Sequence, residues 1–435
     1  MLASAMRTIG AALLGGIALC GAATPAAVSQ NLTGLWDASV QVGKMSVPCQ
    51  FGIAQHGGAI SAWFFNGAER VRSASGELTG RHLVVDFATY ARRLDATVNP
   101  DGTIEGTYAP TTPHSTSRTY GFRAQRAGTD AAAHGPSSDR TTPSIAGEWL
   151  IPVPSEKIGE QAWRMVVRQS GARVSAAILR VDGDTGELSG TWHQGAVVLS
   201  HFDGARPSRF DITPGPNDTL HVVMHDSTDP DAVLTAYRPA DAIAKGLPAA
   251  TDPLQHTRMR DPSEPFQFRF PNLQGKLVSN TDARFRGKVL IIDVAGSWCP
   301  NCHDEAPVLE ALYRQYRARG LEIVMLSFEE PAQLANPTRL RTFIRTYGID
   351  YTVLLAGAYP DELQAKLPQV VNLDSYPTTF FVGRDGRVRA VHAGFASPAT
   401  GHFNDALKRD FATRVEALLA EHAPHTLALS AHSPG

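Results

Sequence analysis

Hydrophobic residues follow two different periods along the chain, and the change between them divides it. Between about residues 32 and 240, short runs of alternating apolar and polar residues are separated by Gly, Asn and Asp turns such as N-P-D-G at 99–102. This alternation predicts antiparallel strands, for example at 83–87 and 197–201. After about residue 260, helical spacings of three and four residues alternate with β-branched runs. That pattern predicts an α/β sheet with a parallel half and an antiparallel edge.

The β-rich region contains an internal repeat. Three short segments recur in the same order: L-T-G-L-W at 32–36 with I-A-G-E-W at 145–149, 55–62 with 169–176, and 76–80 with 186–190. An offset of roughly 110 residues indicates two duplicated domains rather than a solenoid, whose units are much shorter. We predict that each copy is an antiparallel all-β domain, either a sandwich or a small barrel. Trp36 and Trp149, near the start of each copy, are expected to fill its core.

The amino-terminal residues are typical of a secretory signal. Arg7 precedes an apolar stretch at 9–19 and small residues that continue to Ala27. The apolar stretch is too short to span a bilayer, and nothing later resembles a membrane helix. A lipid anchor on Cys20 would need a small residue before it, but Leu19 is there. We therefore expect an exported, periplasmic chain without a transmembrane segment when mature, in an oxidising compartment.

The predicted organisation has seven parts. They are a signal peptide at 1–29, a first β domain at 30–127, a linker at 128–143, a second β domain at 144–240, a linker at 241–262, an α/β domain at 263–423 and a disordered tail at 424–435. The linker at 128–143 is rich in Ala, Gly, Ser and Pro. The formal net charge of −2 gives no reason to expect nucleic acid as a partner.

The candidate chemistry lies where a strand gives way to a helix. An apolar run at 289–294 predicts a buried strand, and apolar positions at 302–319 predict the helix. Cys299 and Cys302 stand at this junction, two residues apart. Such a pair can close a small disulfide and reopen it, and the helix N-terminus favours the thiolate of the first cysteine. We predict a redox site in which a partly exposed Cys299 attacks and a shielded Cys302 resolves. Pro300 and Asn301 set its redox potential.

Two other kinds of site contain the same sequence motif. Cys299, Cys302 and His303 spell C-x-x-C-H, the attachment signature of c-type haem. Haem would suit an all-helical domain, whereas strands flank the helix here, and we expect His303 to be an exposed residue of the first turn. A zinc site would be incomplete, because there is no second cysteine pair and no downstream H-x-x-x-H. We predict no metal. The remaining cysteine, Cys49, is expected to be a small buried side chain, with a reactive or intermolecular thiol as the alternative.

Four features of the α/β domain belong together. They are W-C-P-N-C at 298–302, Asp293 six residues before the first cysteine, Pro307 within the helix, and Tyr376-Pro377-Thr378 ahead of a strand. With these features the domain resembles the thioredoxin superfamily, specifically the exported TlpA/ResA-type thiol–disulfide oxidoreductases.

The resemblance implies the roles of several residues. It implies that Pro377 is cis and lies against the active-site disulfide. It also implies a set of substrate-binding residues: Trp298, Pro300, Tyr376, Pro377 and Thr378. Glu305 fits the exported subgroup and joins Asn301 as a redox-tuning residue. Asp293 is either satisfied by hydrogen bonds at a strand end or a buried carboxylate with a raised pKa that exchanges a proton with Cys302.

The function expected on this basis is reduction of protein disulfides by the Cys299–Cys302 dithiol, with no other cofactor. A reductase in an oxidising compartment needs an electron donor, usually a membrane thiol carrier. Two alternatives stay open. One is a thiol peroxidase of the peroxiredoxin type, although its Pro-x-x-x-Thr-x-x-Cys pattern would require other residues than Ile292 and Gly296. The other is a non-catalytic binding protein whose β domains capture a partner while the carboxyl-terminal domain senses redox state.

Overall fold

The computed structural model describes residues 31–112, 118–128, 142–154 and 157–421. The predicted signal peptide, including Cys20, and the predicted tail at 424–435 lie outside the described residues. So does most of the predicted linker at 128–143, since residues 129–141 are not described.

The first copy of the repeat is a closed antiparallel barrel. Its strands are β1 (Gly34–Val42), β2 (Met45–His56), β3 (Ala59–Asn66), β4 (Glu69–Arg72), β5 (Ser75–Thr79), β6 (His82–Phe87), β7 (Arg92–Val98), β8 (Ile104–Pro110) and β9 (Tyr120–Arg126). Successive strands pair with each other except β4 and β5, β3 pairs with β5 instead, and β9 returns to β1. In the part of the chain that the structure describes, eight strands thus form a ring and β4 extends from β3 beside it. Closure leaves the ring without free edges.

The second copy repeats this topology strand for strand. Its strands are β10 (Gly147–Pro152), β11 (Ala162–Ser170), β12 (Arg173–Arg180), β13 (Gly183–Asp184), β14 (Leu188–His193), β15 (Ala196–His201), β16 (Ser208–Pro214), β17 (Thr219–Met224) and β18 (Ala232–Tyr237). The ring closes through the pairing of β10 with β18, and β13 extends from β12 as β4 does from β3. Both copies are therefore all-β domains, as predicted, and of the two forms considered they take the barrel.

Trp36 and Trp149 fill equivalent positions in the two barrel cores. Each is 1% exposed, and each indole N–H donates to the backbone carbonyl four residues earlier, at 3.0 and 2.8 Å. Arg126 and Arg238 stack over the two rings, with guanidinium carbons 4.7 and 3.7 Å from the ring centroids. The expectation that both tryptophans belong to the core is confirmed.

Helix α1 (Pro239–Ala244) follows the second barrel and packs on it, because Ala242 clusters with Leu150 and Ala162. The remaining residues form the α/β domain. Its helices are α2 (Pro253–His256), α3 (Pro300–Tyr316), α4 (Pro331–Ala335), α5 (Thr338–Tyr347), α6 (Leu363–Lys366) and α7 (His402–Ala420). Its strands are β19 (Arg258–Met259), β20 (Arg269–Pro271), β21 (Leu277–Ser279), β22 (Val289–Ala295), β23 (Leu321–Glu329), β24 (Thr352–Ala358), β25 (Val370–Val371), β26 (Thr378–Val382) and β27 (Val388–Ala393). None of the helices within the described ranges is both long and apolar enough to cross a membrane.

The main sheet of this domain has the strand order β24-β23-β22-β26-β27. The pairs β22–β23 and β23–β24 are parallel, whereas β22–β26 and β26–β27 are antiparallel. All seven residues of the central strand β22 are buried, because helices α3 and α7 pack near it and strands flank it on both sides. This is the predicted combination of a parallel half and an antiparallel edge.

The segment at 241–262, predicted as a linker, differs from that description. It contains α2 and β19, and β19 pairs with β25 of the α/β domain. The His256 ring lies 2.7 Å from Asp374 Oδ1, and the Thr257 hydroxyl donates to the Asn372 carbonyl at 2.8 Å. Met259 is buried in the α/β core. The residues that hold this segment in place lie more than a hundred positions away in the sequence. Local composition could therefore not predict its structure.

The described residues from Leu32 to Glu421 form one compact unit in which barrels and α/β domain are in contact. Phe202, from the second barrel, lies in the aromatic core of the first, 4.9 Å from the Phe64 ring. Asn301, within the cysteine motif, donates from Nδ2 to the Asp182 carbonyl of the second barrel at 3.1 Å. The α/β domain thus meets the second barrel next to its two cysteines.

This contact depends on Gly183, which follows Asp182. Gly183 has a φ of 121°, and a Cβ there would lie 2.0 Å from Asn301 Nδ2. We predict that Gly183→Ala displaces the Asn301 amide and breaks its hydrogen bond to Asp182. Hydrogen exchange in the first turn of α3 should then accelerate roughly tenfold, as expected for overpacking by 1–3 kcal/mol.

Gly195→Ala is the matched control. Gly195 lies in the same barrel at a φ of 84°, but nothing is within 4 Å of a Cβ there. Both variants carry the backbone strain of a non-glycine residue at positive φ, and only Gly183→Ala should change exchange in α3. Equal exchange in the two variants would contradict the proposed contact.

Candidate redox site

The two cysteines begin helix α3. Cys299 is the N-cap residue, and its sulfur accepts from the backbone N–H of Cys302 at 3.4 Å. Pro300 occupies the first turn, where its missing N–H leaves no helical hydrogen bond unmade. Since the first N–H groups of a helix have no partner within it, a sulfur at this position stabilises the helix start and is itself stabilised as a thiolate.

Cys299 is more deeply buried than the sequence indicated. We predicted a partly exposed side chain, but its exposure is 0%. Its thiol faces the Tyr376 carbonyl at 3.3 Å. Burial opposes ionisation, yet the pKa of Cys299 is held below the ordinary 9.0 by its hydrogen bond with Cys302, by the charge of Arg206 and by backbone N–H groups. Arg206 belongs to the second barrel, so the packing of this barrel on the α/β domain accounts for part of the lowered pKa.

Cys302 has the opposite environment. It is 2% exposed, one turn into the helix. Burial, its hydrogen bond to Cys299 and the negative charges of Cys299 and Asp293 hold the pKa of Cys302 well above its usual value. The two thiols are therefore unequal: the first ionises readily, and the second keeps its proton until a base removes it.

Asp293 and Glu305 form a buried acid pair near the cysteines. Asp293 pairs with Thr379 across strands β22 and β26, and the Thr379 hydroxyl donates to Glu305 Oε1 at 2.6 Å. Burial raises the pKa of Asp293 to about 7, although its interaction with Glu305 works in the other direction. Burial and the charge of Asp293 raise the pKa of Glu305 well above its usual value. The raised pKa of Asp293 agrees with the second of the two interpretations, a buried carboxylate that exchanges a proton with Cys302, and Glu305 shares its site.

An aromatic wall stands beside Cys299. The Trp298 ring stacks on Tyr359 at 3.8 Å and meets Tyr376 edge-on at 5.1 Å. The Tyr376–Pro377 peptide is cis, as predicted. Thr378 is placed differently from its expected role, because it is buried and its hydroxyl donates to the Ser375 carbonyl at 2.8 Å.

The comparisons with known proteins concern this domain. Residues 263–391 match the model of the AhpC/TSA family. The thiol-disulfide oxidoreductase ResA of Bacillus thuringiensis (strain Al Hakam) is 28% identical over 131 residues, which cover 30% of this chain and 68% of that protein. ResA of Bacillus subtilis (strain 168) is 24% identical over 135 residues, 31% of this chain and 68% of the relative.

The α/β domain therefore resembles the TlpA/ResA-type thiol–disulfide oxidoreductases of the thioredoxin superfamily. Among solved structures, a thiol:disulfide interchange protein of the thioredoxin family from Chlorobium tepidum TLS is similar over 36% of this chain and 98% of its own. Its sequence identity is 25% and its TM-score 0.28.

The expectation that His303 is exposed was wrong. His303 is 7% exposed, with Nε2 2.9 Å from the Ser297 carbonyl and Nδ1 3.0 Å from the Tyr347 hydroxyl. Burial lowers its pKa to about 4, so the ring is neutral at physiological pH. Both ring nitrogens are already engaged by protein atoms, which does not suit an axial haem ligand. Within the described residues, no group of three or more His, Cys, Asp or Glu side chains is placed to hold a metal ion.

A buried ionic network behind the motif escaped the sequence analysis. Arg339 donates to Glu329 at 3.1 Å, to Glu330 at 2.9 Å and to the Ser297 hydroxyl at 3.0 Å. Ser297 also donates to Glu329, from its backbone at 2.8 Å and its hydroxyl at 2.7 Å. The network ties the turn before Trp298 to the end of β23. The sequence did contain a signal for this network: Glu329 and Glu330 lie at the end of a strand that runs parallel to β22. The ends of parallel strands meet at one edge of the sheet, so these glutamates could have been expected near the cysteine motif.

The other residues singled out from the sequence are not part of the acid pair or the aromatic wall. Pro300 lines a cavity of about 310 Å³ with Trp298 and Tyr359. Asn301 points to the second barrel rather than to the cysteines. Cys49 is partly buried against the core of the first barrel, and burial raises its pKa to about 12. These properties agree with a small, inert core side chain.

The raised pKa of Asp293 predicts a specific pH dependence. Asp293 is protonated below about pH 7 and ionised above it, so its capacity to accept a proton from Cys302 should appear as pH rises through 7. In Asp293→Asn this rise should vanish, and disulfide turnover near pH 8 should fall about 100-fold, the lower range for loss of a general base. Stopped-flow reduction of a disulfide substrate from about pH 5 to about pH 9 measures it.

Stability supplies an independent check of the same pKa. Between the unfolded pKa of Asp293, near 4, and its folded pKa, about 7, the folded state binds this proton more tightly than the unfolded state does. The free energy of unfolding of the wild type should therefore decrease as pH rises from about 4 to about 7. Asp293→Asn should show a smaller loss, to which Glu305, whose pKa burial also raises, still contributes. The control is Asp361→Asn, which changes an exposed carboxylate. If all three proteins have the same pH profiles, Asp293 has a structural role only.

Proposed function

We propose that this protein-disulfide oxidoreductase is exported and reduces disulfides of periplasmic proteins with the dithiol of Cys299 and Cys302. The observation that supports this best is the inequality of two buried cysteines on one helix turn, one with a lowered and one with a raised pKa. Such inequality suits a sequence of attack and resolution. No cofactor beyond the cysteine pair is needed.

In the first step the Cys299 thiolate attacks one sulfur of the substrate disulfide. The substrate S–S bond breaks, a mixed disulfide forms with Cys299, and the other substrate sulfur leaves as a thiolate that takes a proton from solvent. The backbone N–H groups at the start of α3 and the charge of Arg206 stabilise Cys299 as the attacking thiolate. The aromatic wall of Trp298 and Tyr376 offers a surface for the substrate segment next to its cysteine.

In the second step the Cys302 thiol loses its proton and attacks the Cys299 sulfur. The mixed disulfide breaks, the second substrate sulfur leaves as a thiolate, and the Cys299–Cys302 disulfide remains. Two electrons have then passed from the enzyme to the substrate. The pKa of Asp293, about 7, suits a base that accepts the Cys302 proton at neutral pH. Glu305, protonated beside it, limits the acid pair to one negative charge.

A new cycle requires that the disulfide of the enzyme be reduced again. In an oxidising compartment the electrons come from an outside donor, and we propose a membrane thiol carrier. The same cysteines would run the reaction in the opposite direction if the donor were absent, because every step is a reversible thiol–disulfide exchange. A redox titration of the Cys299–Cys302 couple against glutathione measures which direction is favoured.

Thiol peroxidase chemistry is the second candidate, because the domain matches the AhpC/TSA model and peroxiredoxins share the fold. Ile292 and Gly296 stand where the peroxiredoxin pattern has its proline and threonine. Gly296 has no hydroxyl with which to bind a peroxide. Consumption of hydrogen peroxide at a rate well above that of disulfide reduction would favour this candidate over the first.

The unequal cysteines predict unequal variants. Cys302→Ser should still attack substrate disulfides but cannot resolve the product, so it should accumulate mixed disulfides through Cys299. Cys299→Ser should lose reaction with disulfides altogether. Non-reducing gels of each variant, recovered from the periplasm, display these adducts, and dithiothreitol should release them.

Cys49→Ser is the matched control, because Cys49 lies in the first barrel with a strongly raised pKa. It should behave as the wild type does, and adding it to Cys302→Ser should leave the adducts unchanged. Adducts in Cys299→Ser but none in Cys302→Ser would reverse the assigned order. Absence of adducts in both would contradict disulfide exchange.

A further inference from the structure

The loop between β15 and β16 carries one arginine of the second barrel to the redox site. Phe202, at its start, is buried in the core of the first barrel. Asp203 accepts from the Tyr90 hydroxyl at 3.0 Å and from the backbone N–H of Ala205 at 2.9 Å. The Gly204 carbonyl accepts from the Tyr108 hydroxyl at 3.0 Å. These contacts hold the four residues before Arg206, and strand β16 begins two residues after it. The position of Arg206 is therefore defined.

Arg206 lines the cavity of about 310 Å³ beside the cysteine motif. All three domains contribute to the wall: Tyr90 and Arg92 from the first barrel, Arg206 from the second, and Trp298 and Pro300 from either side of Cys299. A group that enters this cavity therefore contacts the two residues that flank Cys299 in the chain. The aromatic side chains supply apolar surface, the arginines supply positive charge, and Glu330 on the same wall is paired with Arg339.

The three arginines of this cavity differ in what holds them. Arg339 is bound by Glu329 and Glu330. Arg92 donates to the Tyr108 carbonyl at 3.0 Å and stacks on the Tyr108 and Tyr120 rings. Arg206, by contrast, has neither a hydrogen bond nor an ion pair within 4.0 Å to any residue that the structure describes.

A partly buried guanidinium whose N–H groups are bound to no carboxylate can accept an anion. Its planar fork of N–H donors fits a carboxylate with two parallel hydrogen bonds. The charges that act on Arg206 include those of Cys299 and Asp182, but neither is close enough to bind its guanidinium. A ligand that brings its own carboxylate would complete the site.

We propose that Arg206 selects substrates that carry an Asp or Glu side chain next to the disulfide-bonded cysteine. This proposal rests on the disulfide reductase function and names the class of polypeptide that the site prefers. The second barrel thereby contributes a specificity residue to the active site of the α/β domain.

The test uses the full chain and three peptides with one intramolecular disulfide each. The peptides are identical except for Asp, Asn or Lys beside the cysteine that Cys299 attacks. Dithiothreitol supplies the two electrons of each turnover. We expect the Asp peptide to be reduced roughly tenfold faster than the Asn peptide in kcat/KM, the effect of one charge-assisted hydrogen bond in a partly exposed site. The Lys peptide should be slowest, and added salt should narrow the range.

Variants of Arg206 test whether this residue causes the preference for the Asp peptide. Arg206→Gln should bring the Asp-to-Asn ratio close to one, and Arg206→Glu should favour the Lys peptide. Any general loss through a weaker Cys299 thiolate would slow all three peptides alike, so the ratio reports selection alone. Arg209→Gln is the matched control, since Arg209 is held by Asp211 three residues further along the same barrel. It should keep the wild-type ratio.

Equal rates of the wild type with all three peptides would overturn the proposed selectivity while leaving the reductase function in place. Failure to reduce even the Asn peptide would instead contradict the reductase function. If Arg206→Gln does not fold, the wild-type ratio and its decline with salt decide the question. A ratio that persists unchanged in Arg206→Gln would assign the preference to another residue and overturn the role of Arg206.

Discussion

The burial of both cysteines at the start of one helix is the constraint on which the rest of the site depends. A thiolate away from water is stable only if nearby donors and positive charges replace its hydration. Around Cys299 they are the backbone N–H groups of the first turn of α3 and the guanidinium of Arg206. Cys302, equally buried, lacks that support and stays protonated. One helix turn thus separates an attacking sulfur from a resolving one.

The same constraint explains the acids behind the motif. The proton of Cys302 has to leave during the second exchange, and solvent has poor access to a side chain that is 2% exposed. A carboxylate with an ordinary pKa would be too weak a base for this transfer. Burial beside Glu305 raises the pKa of Asp293 to about 7, which brings it closer to that of the thiol. Residues on β22, α3 and β26 must therefore be held together for the proton to move.

The features that the sequence predicted correctly are those that local sequence patterns determine. The alternation of strands, the helix after Cys302, the core position of Trp36 and the cis peptide before Pro377 follow from periodicity, duplication or a matching motif. The burial of His303 and Cys299 does not, because residues from distant parts of the chain cover them.

Arg206 illustrates the limit most clearly. It lies in a short Gly-Pro-containing turn of a barrel, almost a hundred residues before the cysteines, and nothing in its neighbours indicates chemistry. Only the insertion of Phe202 into the first barrel and the packing of both barrels on the α/β domain bring it to Cys299. Tyr90 and Arg92 of the first barrel reach the same cavity for the same reason. Such non-local juxtapositions require the folded chain.

The most direct test of unequal cysteines is a pH titration of thiolate absorbance in the reduced protein, carried out in a Cys49→Ser background from about pH 5 to about pH 10. We predict one thiol that ionises below the ordinary value of 9.0 and disappears in Cys299→Ser, with no second ionisation before the upper end of the range. Two thiols that titrate together near 9.0 would contradict the division of roles between Cys299 and Cys302.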